Sequence, residues 1–345
     1  MLISFILPPA SKKVVGGLKI IYQYSNYLAA NDCDVCLYYR SSGKNSKGIP
    51  EFIVRLLRKS MLIIEPKWFK LDHRIKKKDF KLPSEIKGDV VVASDLGSAF
   101  YGYKSNVIKK CYFIQDFENW TVSDDEVYKT YNYGMKNIVV SNWLKKIVDS
   151  QSHTESTYIP NGIDLGVFRI TNPIDKRGHS IAMLYHNDKR KGCDVGLKVI
   201  YRLKKKYPDL VANLFGSPQR PDDFPDWINY TQSASQKQVA GIDNQSSIFL
   251  CPSRQEGYGL TGLEGIACGC ALVTTDCKGV KEYAIDGKNA LMCSVDDIDE
   301  LYNCCCRLLD DIDFRIKITN NGIATSKKYD IKDAKKKFLE TVVSI

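Results

Sequence analysis

The chain has 345 residues, of which 44% are hydrophobic and 26% are charged. These proportions are typical of a globular protein with a substantial core, and they exclude an intrinsically disordered chain. No apolar run approaches the roughly 18 residues of a membrane-spanning helix, and the start MLISFILPPA predicts a short strand rather than a signal peptide. The formal net charge of +10 is explained by a solvated basic face or by an anionic partner, either a substrate or an acidic membrane surface.

The basic residues are most concentrated in KWFKLDHRIKKKDFKLP, residues 67–83, and further lysines lie on predicted helices. A nucleic-acid-binding chain usually gathers its basic residues on one stripe with aromatic platforms between them. We therefore interpret residues 67–83 as a solvated basic face and expect no nucleic-acid partner. An anionic substrate or peripheral contact with a membrane surface is the alternative.

Twelve cysteines and four histidines are present, but their spacing does not predict a metal site. Cys33 and Cys36 form a CxxC pair that no second pair completes, and the side chains of residues 304–306 would diverge on a helix. We expect free thiols in a reducing compartment, hence a cytoplasmic protein without a metal cofactor.

Short runs rich in Val, Ile and Tyr alternate with helical spacers through the N-terminal half. Such an alternation predicts parallel strands with crossover helices. The predicted strands are LISFIL, DVCLYY, DVVVAS, CYFIQ, NIVVS and TYIP, and the clearest helices are LKIIYQYSNYLAA and NWLKKIVDS.

A break without periodicity, residues 160–180, separates this half from a second alternating series. The second series contains the predicted strands SIAMLYH, LVANLFG, WINYTQ, SIFLCPS, ALVTTD and NALMCS. We predict an α/β chain with two Rossmann-like, doubly wound domains that face each other across a cleft. The predicted segments are a first domain at 1–165, a linker at 166–178, a second domain at 179–325, and a C-terminal helix at 326–345 that packs back toward the first domain.

In each half, a glycine-containing turn follows the first strand. Gly16 and Gly17 precede the first helix, where backbone N–H groups could approach a ligand closely. The full GxGxxG motif is absent, so simple turn geometry is the alternative. In the second half, HNDKRKGCDVG places Arg190 and Lys191 at the mouth of a helix, where a diphosphate leaving group would be stabilised. A solvated loop is the alternative there.

The segment PSRQEGYGLTGLEGIACGCALVTTD, residues 252–276, carries two carboxylates among glycines after an apolar strand. Carboxylates would repel a phosphate, so we expect them to hold hydroxyl groups. Thr261 and Glu264 also fit a capping box with Thr261 as the N-cap, which would explain Glu264 without a ligand. Glu256 stands before two turn glycines, Gly257 and Gly259, and has no such local explanation.

The spacing of Glu256 and Glu264, with the flanking glycines, resembles the E-x7-E signature of family-4 retaining glycosyltransferases, which are two-domain GT-B enzymes. IPNGIDLGVF is similar to their interdomain segment, the Lys191–Gly192 pair to their phosphate-binding pair, and GVKEYAIDGKNALMCSVDD to the unit that follows their donor block. The resemblance covers roughly residues 180–300 in detail and the N-terminal half mainly in organisation.

The resemblance implies a metal-independent transfer of a sugar from a nucleoside diphosphate sugar to an acceptor hydroxyl, with retention. Glu264 would bind the ribose and Glu256 the donor sugar, while Lys191, Arg190 and backbone N–H groups would take the diphosphate. The donor-site residues it implies, together with the N-terminal glycine pair, are Glu264, Gly259, Leu260, Thr261, Gly257, Tyr258, Gly16 and Gly17. UDP-, dTDP- or GDP-linked donors and a glycan or glycolipid acceptor are the expected partners.

The sequence departs from the family pattern at two places. Tyr185 and His186 stand where the family commonly has an arginine, and Gln115 and Asp116 stand where it commonly has a histidine. With SNWLKK, these features are similar to a rhamnosyltransferase-like branch that builds surface polysaccharides. Asp116 is the candidate for orienting the acceptor or the sugar, with a helix cap as the equal alternative.

Three other functions stay open from the sequence. A sugar-nucleotide epimerase on the same fold would need no acceptor, and a non-catalytic basic protein would bind nucleic acid or membrane in a salt-dependent manner. A metal-dependent transferase could use the DID motifs at 297–299 or 311–313, but both fall in predicted helices.

Overall fold

The structure is a computed structural model that describes residues 1–10, 16–41, 66 and 68–345. It contains two compact units. The first unit comprises Met1–Pro160 together with Ala334–Ile345, and the second comprises Asn161–Asp333.

The first unit contains a parallel seven-stranded sheet in the order β3-β2-β1-β4-β5-β6-β7. Its inner strands are largely buried, as is usual where helices cover both faces of a parallel sheet. The strands are β1 (Leu2–Leu7), β2 (Asp34–Arg40), β3 (Lys76–Phe80), β4 (Val90–Ala93), β5 (Lys109–Ile114), β6 (Lys136–Val139) and β7 (Thr157–Tyr158). The helices of its N-terminal segment are α1 (Gly16–Ala30), α2 (Leu96–Lys104), α3 (Asp124–Thr130) and α4 (Asn142–Gln151).

The edge strand β3 lies within the basic run 67–83, where no strand was predicted. Its sequence KKKDF pairs in parallel with β2, from Lys76 opposite Cys36 to Phe80 opposite Arg40. Lys76 and Lys78 are exposed, whereas Phe80 is buried. An edge strand tolerates such lysines, and within the described residues β3 pairs with β2 alone. The solvated lysines therefore belong to the sheet itself rather than to a loop.

The second unit contains a parallel six-stranded sheet in the order β10-β9-β8-β11-β12-β13. Its strands are β8 (Ser180–Leu184), β9 (Val211–Gly216), β10 (Ile228–Gln232), β11 (Ile248–Cys251), β12 (Ala271–Thr275) and β13 (Ala290–Cys293). Its helices are α5 (Cys193–Lys206), α6 (Gln236–Asn244), α7 (Leu260–Ala267), α8 (Ile298–Asp310) and α9 (Ile312–Ser326). Two doubly wound parallel sheets in one chain confirm the predicted α/β fold class.

The last helix, α10 (Ile331–Val343), begins in the second unit and continues into the first. Phe338 is fully buried in the first unit, with its ring centroid 4.5 Å from that of Tyr24 and 5.6 Å from that of Phe113. The C-terminal segment is therefore part of the core of the first unit. Among the helices in the described ranges, none combines the length and apolar character needed to cross a membrane.

The segment 166–178, predicted as a linker, lies wholly within the second unit. Its anchor is Arg177, which is 4% exposed. The guanidinium donates hydrogen bonds to four backbone carbonyl groups, those of Asn172, Asp243, Ser246 and Cys268. The carbonyls of Asp243, Ser246 and Cys268 lie at the ends of α6 and α7, so Arg177 ties both helix ends to the segment.

We predict that Arg177→Ala destabilises the second unit by about 3 kcal/mol or more, because it removes the hydrogen bonds of a buried guanidinium group to four backbone carbonyls. The fluorescence of Trp227, the single tryptophan of that unit, reports its urea unfolding. Arg202→Ala is the matched control, since Arg202 forms an exposed pair with Asp299 and its loss should barely move the midpoint. Equal midpoints for the two variants would contradict the anchoring role.

Candidate functional site

The candidate site of the second unit lies where two loops leave neighbouring strands. The strand order reverses between β8 and β11, so the loops that follow these strands lie side by side at the carboxyl edge of the sheet. Ligands of open α/β sheets bind at such a reversal. The first loop ends in the 3₁₀ turn Lys189–Lys191, and the second contains Glu256 and leads into α7.

Close backbone contact holds the two loops together. Gly192 has φ of +60°, and a Cβ atom there would overlap the carbonyl oxygen of Pro252. The amide of Arg254 donates to the carbonyl oxygen of Arg190 at 2.7 Å. Only glycine at position 192 allows both the left-handed backbone and this approach.

Lys191 and Glu256 form an ion pair across these loops. The Nζ atom of Lys191 lies 2.8 Å from Oε1 and 2.9 Å from Oε2 of Glu256. The Ser253 hydroxyl also donates to Oε1 at 2.8 Å, and Glu256 is only 8% exposed. The sequence assigned these two side chains to different parts of a ligand, and the structure brings them into direct contact.

The backbone of Glu256 is fixed by the segment after β12. Its amide donates to the carbonyl of Cys277 at 3.2 Å, and its carbonyl accepts from the amide of Gly279 at 3.1 Å. A Cβ atom at Gly279 would overlap the Glu256 carbonyl oxygen, so this approach also requires glycine. Gly257 also packs against Gly279, because the carbonyl carbon of Gly257 would lie 2.6 Å from a Cβ atom added at Gly279.

The other basic residues of the site contact carboxylates as well. Arg190 pairs with Asp188 at 2.6 Å, and its hydrogen bonds lower the pKa of that carboxyl group. Arg254, which the sequence analysis did not select, pairs with Asp194 at 2.8 Å and Asp296 at 2.7 Å. Its position in PSRQEG, beside Glu256, was the available signal.

The helix α7 starts one turn after Glu256, with Gly259 as its N-cap at φ of +83°. The predicted capping box is wrong, because Leu260 is already the first helical residue and Thr261 lies inside the helix rather than at its cap. The carbonyl of Gly259 accepts a hydrogen bond from the buried hydroxyl of Tyr283 at 2.5 Å. The first-turn amides of α7 therefore stand at the carboxyl edge of the sheet, where helix N-termini favour anions.

Glu264 is 4% exposed on the first turns of α7. Behind it lies Asp243 of α6, a fully buried residue that sequence reasoning missed. Burial, with the charge of Glu264 as a second cause, raises the pKa of Asp243 well above its ordinary value. The environment of Asp243 therefore favours its protonated form beside the candidate ribose ligand.

Tyr258, a predicted donor-site residue, packs inside an aromatic cluster. Its ring centroid lies 5.8 Å from that of Tyr283 and 6.4 Å from that of Tyr329, and it is 3% exposed. The hydroxyl of Tyr329 donates to the carbonyl of Glu282. The cluster supports the turn that precedes α7.

His186 and the two DID motifs have structural roles in the second unit. His186 accepts a hydrogen bond on Nδ1 from the Asp188 amide at 2.9 Å. Asp297 and Asp311 are the N-caps of α8 and α9, and each accepts from a first-turn amide. Within the described ranges, the His, Cys, Asp and Glu side chains form no group of three or more that could hold a metal ion.

The remaining predicted residues lie in the first unit. Gly16 and Gly17 begin α1, and a Cβ atom added at Gly17 would lie 3.1 Å from the side-chain Nε2 atom of Gln115. Asp116 follows β5, and its Oδ1 accepts from the amide of Phe117 at 2.8 Å. The catalytic candidates thus divide between the units, with Asp116 in one and Glu256, Lys191 and Arg190 in the other.

A partly buried carboxyl group close to Asp116 in the chain was missed from the sequence. Glu118 accepts a hydrogen bond from the Leu96 amide at 2.6 Å, at the start of α2. Burial raises its pKa to about 8, and the charges of Asp95 and Asp116 add to this effect while Arg40 opposes it. Glu118 is therefore largely protonated at neutral pH.

The comparisons with known proteins concern the same region. Residues 179–311 match the family described as glycosyl transferases group 1. An uncharacterized glycosyltransferase of Methanocaldococcus jannaschii is 26% identical over 237 residues, which is 65% of this chain and 60% of that protein. The phosphatidyl-myo-inositol mannosyltransferase of Mycolicibacterium smegmatis is 22% identical over 204 residues, 56% of this chain and 53% of that protein. The matches thus span about half to three fifths of these relatives' own length.

Solved structures match over nearly the whole chain. Sucrose-phosphate synthase from Thermosynechococcus elongatus has a TM-score of 0.76 at 15% identity and covers 99% of this chain and 98% of its own. The Anabaena protein HepE, solved in complex with UDP and glucose, has a TM-score of 0.75 at 14% identity and covers 99% of each chain. Residues 179–311 are therefore similar to the glycosyl transferases group 1 family, and the solved structures show the GT-B fold.

We predict that Gly192→Ala costs about 3 kcal/mol or more of stability in the second unit, because it combines an unfavourable φ with an overlap on the Pro252 carbonyl. Gly287→Ala is the matched control. Its φ of +65° is similar, but no atom lies within 4 Å of the added Cβ, so about 1 kcal/mol is expected. Urea unfolding followed by Trp227 fluorescence measures both, and equal losses would show that the loops do not depend on this approach.

We predict that Glu118 makes the first unit less stable as the pH rises from about 5 to 8. The raised pKa means that the folded state holds the Glu118 proton more tightly than the unfolded state does. The stability gained from this proton is complete below the ordinary carboxyl pKa and is lost as the pH rises through the pKa of the folded state, about 8. Glu118→Gln should flatten the profile, as measured by urea midpoints in a Trp227→Phe background. Glu155→Gln, at an 80% exposed side chain, should leave the slope unchanged.

Proposed function

We propose that this chain is a family-4-type retaining glycosyltransferase, which moves a sugar from a nucleoside diphosphate sugar to an acceptor hydroxyl without a divalent metal. The observation that carries the proposal is the Lys191–Glu256 ion pair between the loops that follow β8 and β11. In this pair Lys191, a type of side chain that binds phosphate, directly contacts Glu256, a type of side chain that binds hydroxyl groups.

The ion pair favours a ligand that satisfies both of its members at once. A phosphate that took Lys191 alone would approach the Glu256 carboxylate and leave that largely buried group without its cation, which is costly. A sugar diphosphate offers an anion to Lys191 and hydroxyl groups to Glu256 at a fixed separation. The intact donor would therefore exchange one ion pair for two matched contacts.

Backbone groups would complete the anion grip. The first-turn amides of α7, at Leu260 and Thr261, begin at the glycine N-cap and face developing negative charge without reorganising. Arg190 would add a second cation if it exchanged Asp188 for the diphosphate. Cationic side chains and amides can stabilise the leaving group in this way, which is why we assign no metal to the reaction.

Glu264 would hold the ribose hydroxyls, with the buried Asp243 behind it. Because the environment of Asp243 favours its neutral form, that residue would not add a second negative charge beside the nucleotide. Asp116, in the first unit, is the proposed residue for orienting the acceptor or the sugar. Its neighbour Glu118 is the second carboxyl group available at that edge.

The donor and acceptor are proposed by class. A UDP-linked sugar is the first candidate, because the neighbour HepE was solved with UDP and glucose. A dTDP-linked rhamnose belongs in the same screen, since the N-terminal motifs resemble a rhamnosyltransferase-like branch. A glycan or glycolipid is the proposed acceptor, and one relative is named for transfer to a phosphatidyl-myo-inositol. We place the reaction in the cytoplasm.

We predict opposite effects on nucleotide binding for the two halves of the ion pair. Lys191→Ala should weaken UDP binding about tenfold, whereas Glu256→Gln should bind UDP as tightly or more tightly, because it frees Lys191 from its carboxylate. Glu256→Gln should nevertheless lower transfer about 10²- to 10³-fold, the usual loss when one transition-state contact is removed. Calorimetry with UDP and a radiolabelled-sugar transfer assay measure the two effects.

The matched controls are Lys281→Ala and Asp276→Asn, which break another lysine–carboxylate pair of the same unit at 2.6 Å. Both should keep UDP binding and transfer. Wild-type turnover by Glu256→Gln would refute the assignment of Glu256 to the donor sugar. Release of a free or altered sugar without acceptor, seen by mass spectrometry, would instead indicate an epimerase or hydrolase.

A further inference from the structure

Three large apolar side chains are exposed within nine consecutive residues of the first unit. They are Phe100 at 48%, Tyr103 at 43% and Ile108 at 93% exposure. Exposed apolar residues that occur singly are common on soluble proteins, whereas a group of them marks a contact surface. We name Phe100, Tyr103, Lys104, Ile108 and Lys109 the 100–109 patch.

The helix α2 presents its part of the patch on one face. Ser98, Ala99 and Gly102 are buried, whereas Phe100, Tyr103 and Lys104 lie three and four positions apart on the exposed side. The Tyr103 ring stacks on that of Tyr133 with centroids 4.6 Å apart. The ammonium group of Lys104 lies 5.0 Å from the Tyr103 ring centroid.

Hydrogen bonds hold the turn that presents Ile108. The hydroxyl of Ser105 donates to the carbonyl of Gly102 at 2.8 Å, and the amide of Ser105 donates to the same oxygen at 3.2 Å. Lys110 donates from Nζ to the carbonyls of Tyr103 at 2.8 Å and Ser105 at 3.0 Å. Partial burial lowers the pKa of this lysine. Ile108 is thus held outward by a turn with satisfied polar groups.

The chain segment that forms the patch carries only positive charges. No Asp or Glu occurs between Leu96 and Gln115, and the interval contains Lys104, Lys109 and Lys110. The carboxylate at the start of the adjacent strand, Asp89, accepts a hydrogen bond from the Leu2 amide at 2.7 Å. The surface therefore combines an aliphatic tip, aromatic rings and lysines.

We propose that the 100–109 patch docks the protein on a lipid bilayer that contains anionic phospholipids. Ile108 would enter the boundary between headgroups and acyl chains, where burial of apolar area supplies affinity. Tyr103 and Phe100 would lie at the interface, and the lysines would approach the anionic headgroups. The absence of carboxylates from residues 96–115 favours an anionic partner over a mixed-charge protein surface.

The test is co-sedimentation of the full chain with vesicles of phosphatidylcholine containing about one third phosphatidylglycerol, against vesicles of pure phosphatidylcholine. We expect binding to the anionic vesicles that falls with salt. Ile108→Glu should lower partitioning at least tenfold, because it places a charge where an apolar side chain would be buried. Lys104→Glu with Lys109→Glu should also lower it about tenfold.

Ile312→Glu is the matched control, because Ile312 is a 50% exposed isoleucine in the second unit. It should partition like the wild type. Equal partitioning of Ile108→Glu and Ile312→Glu, or no binding to anionic vesicles, would overturn the proposal. A dimer in light scattering that Ile108→Glu converts to a monomer would also overturn it, since a second copy would then cover the patch. No patch residue belongs to the proposed donor site, so lipid binding and sugar transfer are tested separately.

Discussion

The ion pair between Lys191 and Glu256 is the constraint on which the candidate site depends. It requires that the loops after β8 and β11 approach within hydrogen-bonding distance, and two glycines make this possible. Gly192 lets the first loop meet the Pro252 carbonyl, and Gly279 lets the segment after β12 meet the Glu256 carbonyl. The pair is therefore held by backbone contacts on both sides, so its geometry does not rely on side-chain packing alone.

The supports of this pair extend outward through the second unit. The Tyr283 hydroxyl bonds the carbonyl of the α7 N-cap, and the same ring packs against Tyr258. At the opposite end of the helix, Arg177 bonds the Cys268 carbonyl and also the end of α6. The amino end of α7 can present amides to a ligand because both of its ends are fixed. Tyr283, Tyr258 and Arg177 thus serve the site mainly by keeping the backbone of α7 in place.

The sequence predicted the elements that follow from local patterns, and it missed those that follow from tertiary contact. Apolar runs such as VVVAS and SIFLCPS indicated buried parallel strands, because both faces of such strands are covered. The strand β3 escaped notice because its lysines conceal the pairing with β2. Arg177, Asp243 and Glu118 lie in polar stretches, and only the fold shows that the first two are buried and that Glu118 is partly buried. Thr261 fitted a capping box, but the left-handed Gly259 takes the N-cap position, so the helix starts two residues earlier than that box predicted.

The net charge of +10 does not describe the charge of the site. Three cations of the two loops contact carboxylates, with Lys191 on Glu256, Arg190 on Asp188, and Arg254 on both Asp194 and Asp296. These contacts leave the site close to neutral before a ligand arrives. A simple anion would therefore gain little there, whereas a ligand with both phosphates and hydroxyl groups can replace the internal partners. Long-range attraction of the protein to an anionic partner must therefore come from lysines outside the site, such as Lys104 and Lys109. We connect the net positive charge with the membrane surface that the 100–109 patch is proposed to bind rather than with the substrate.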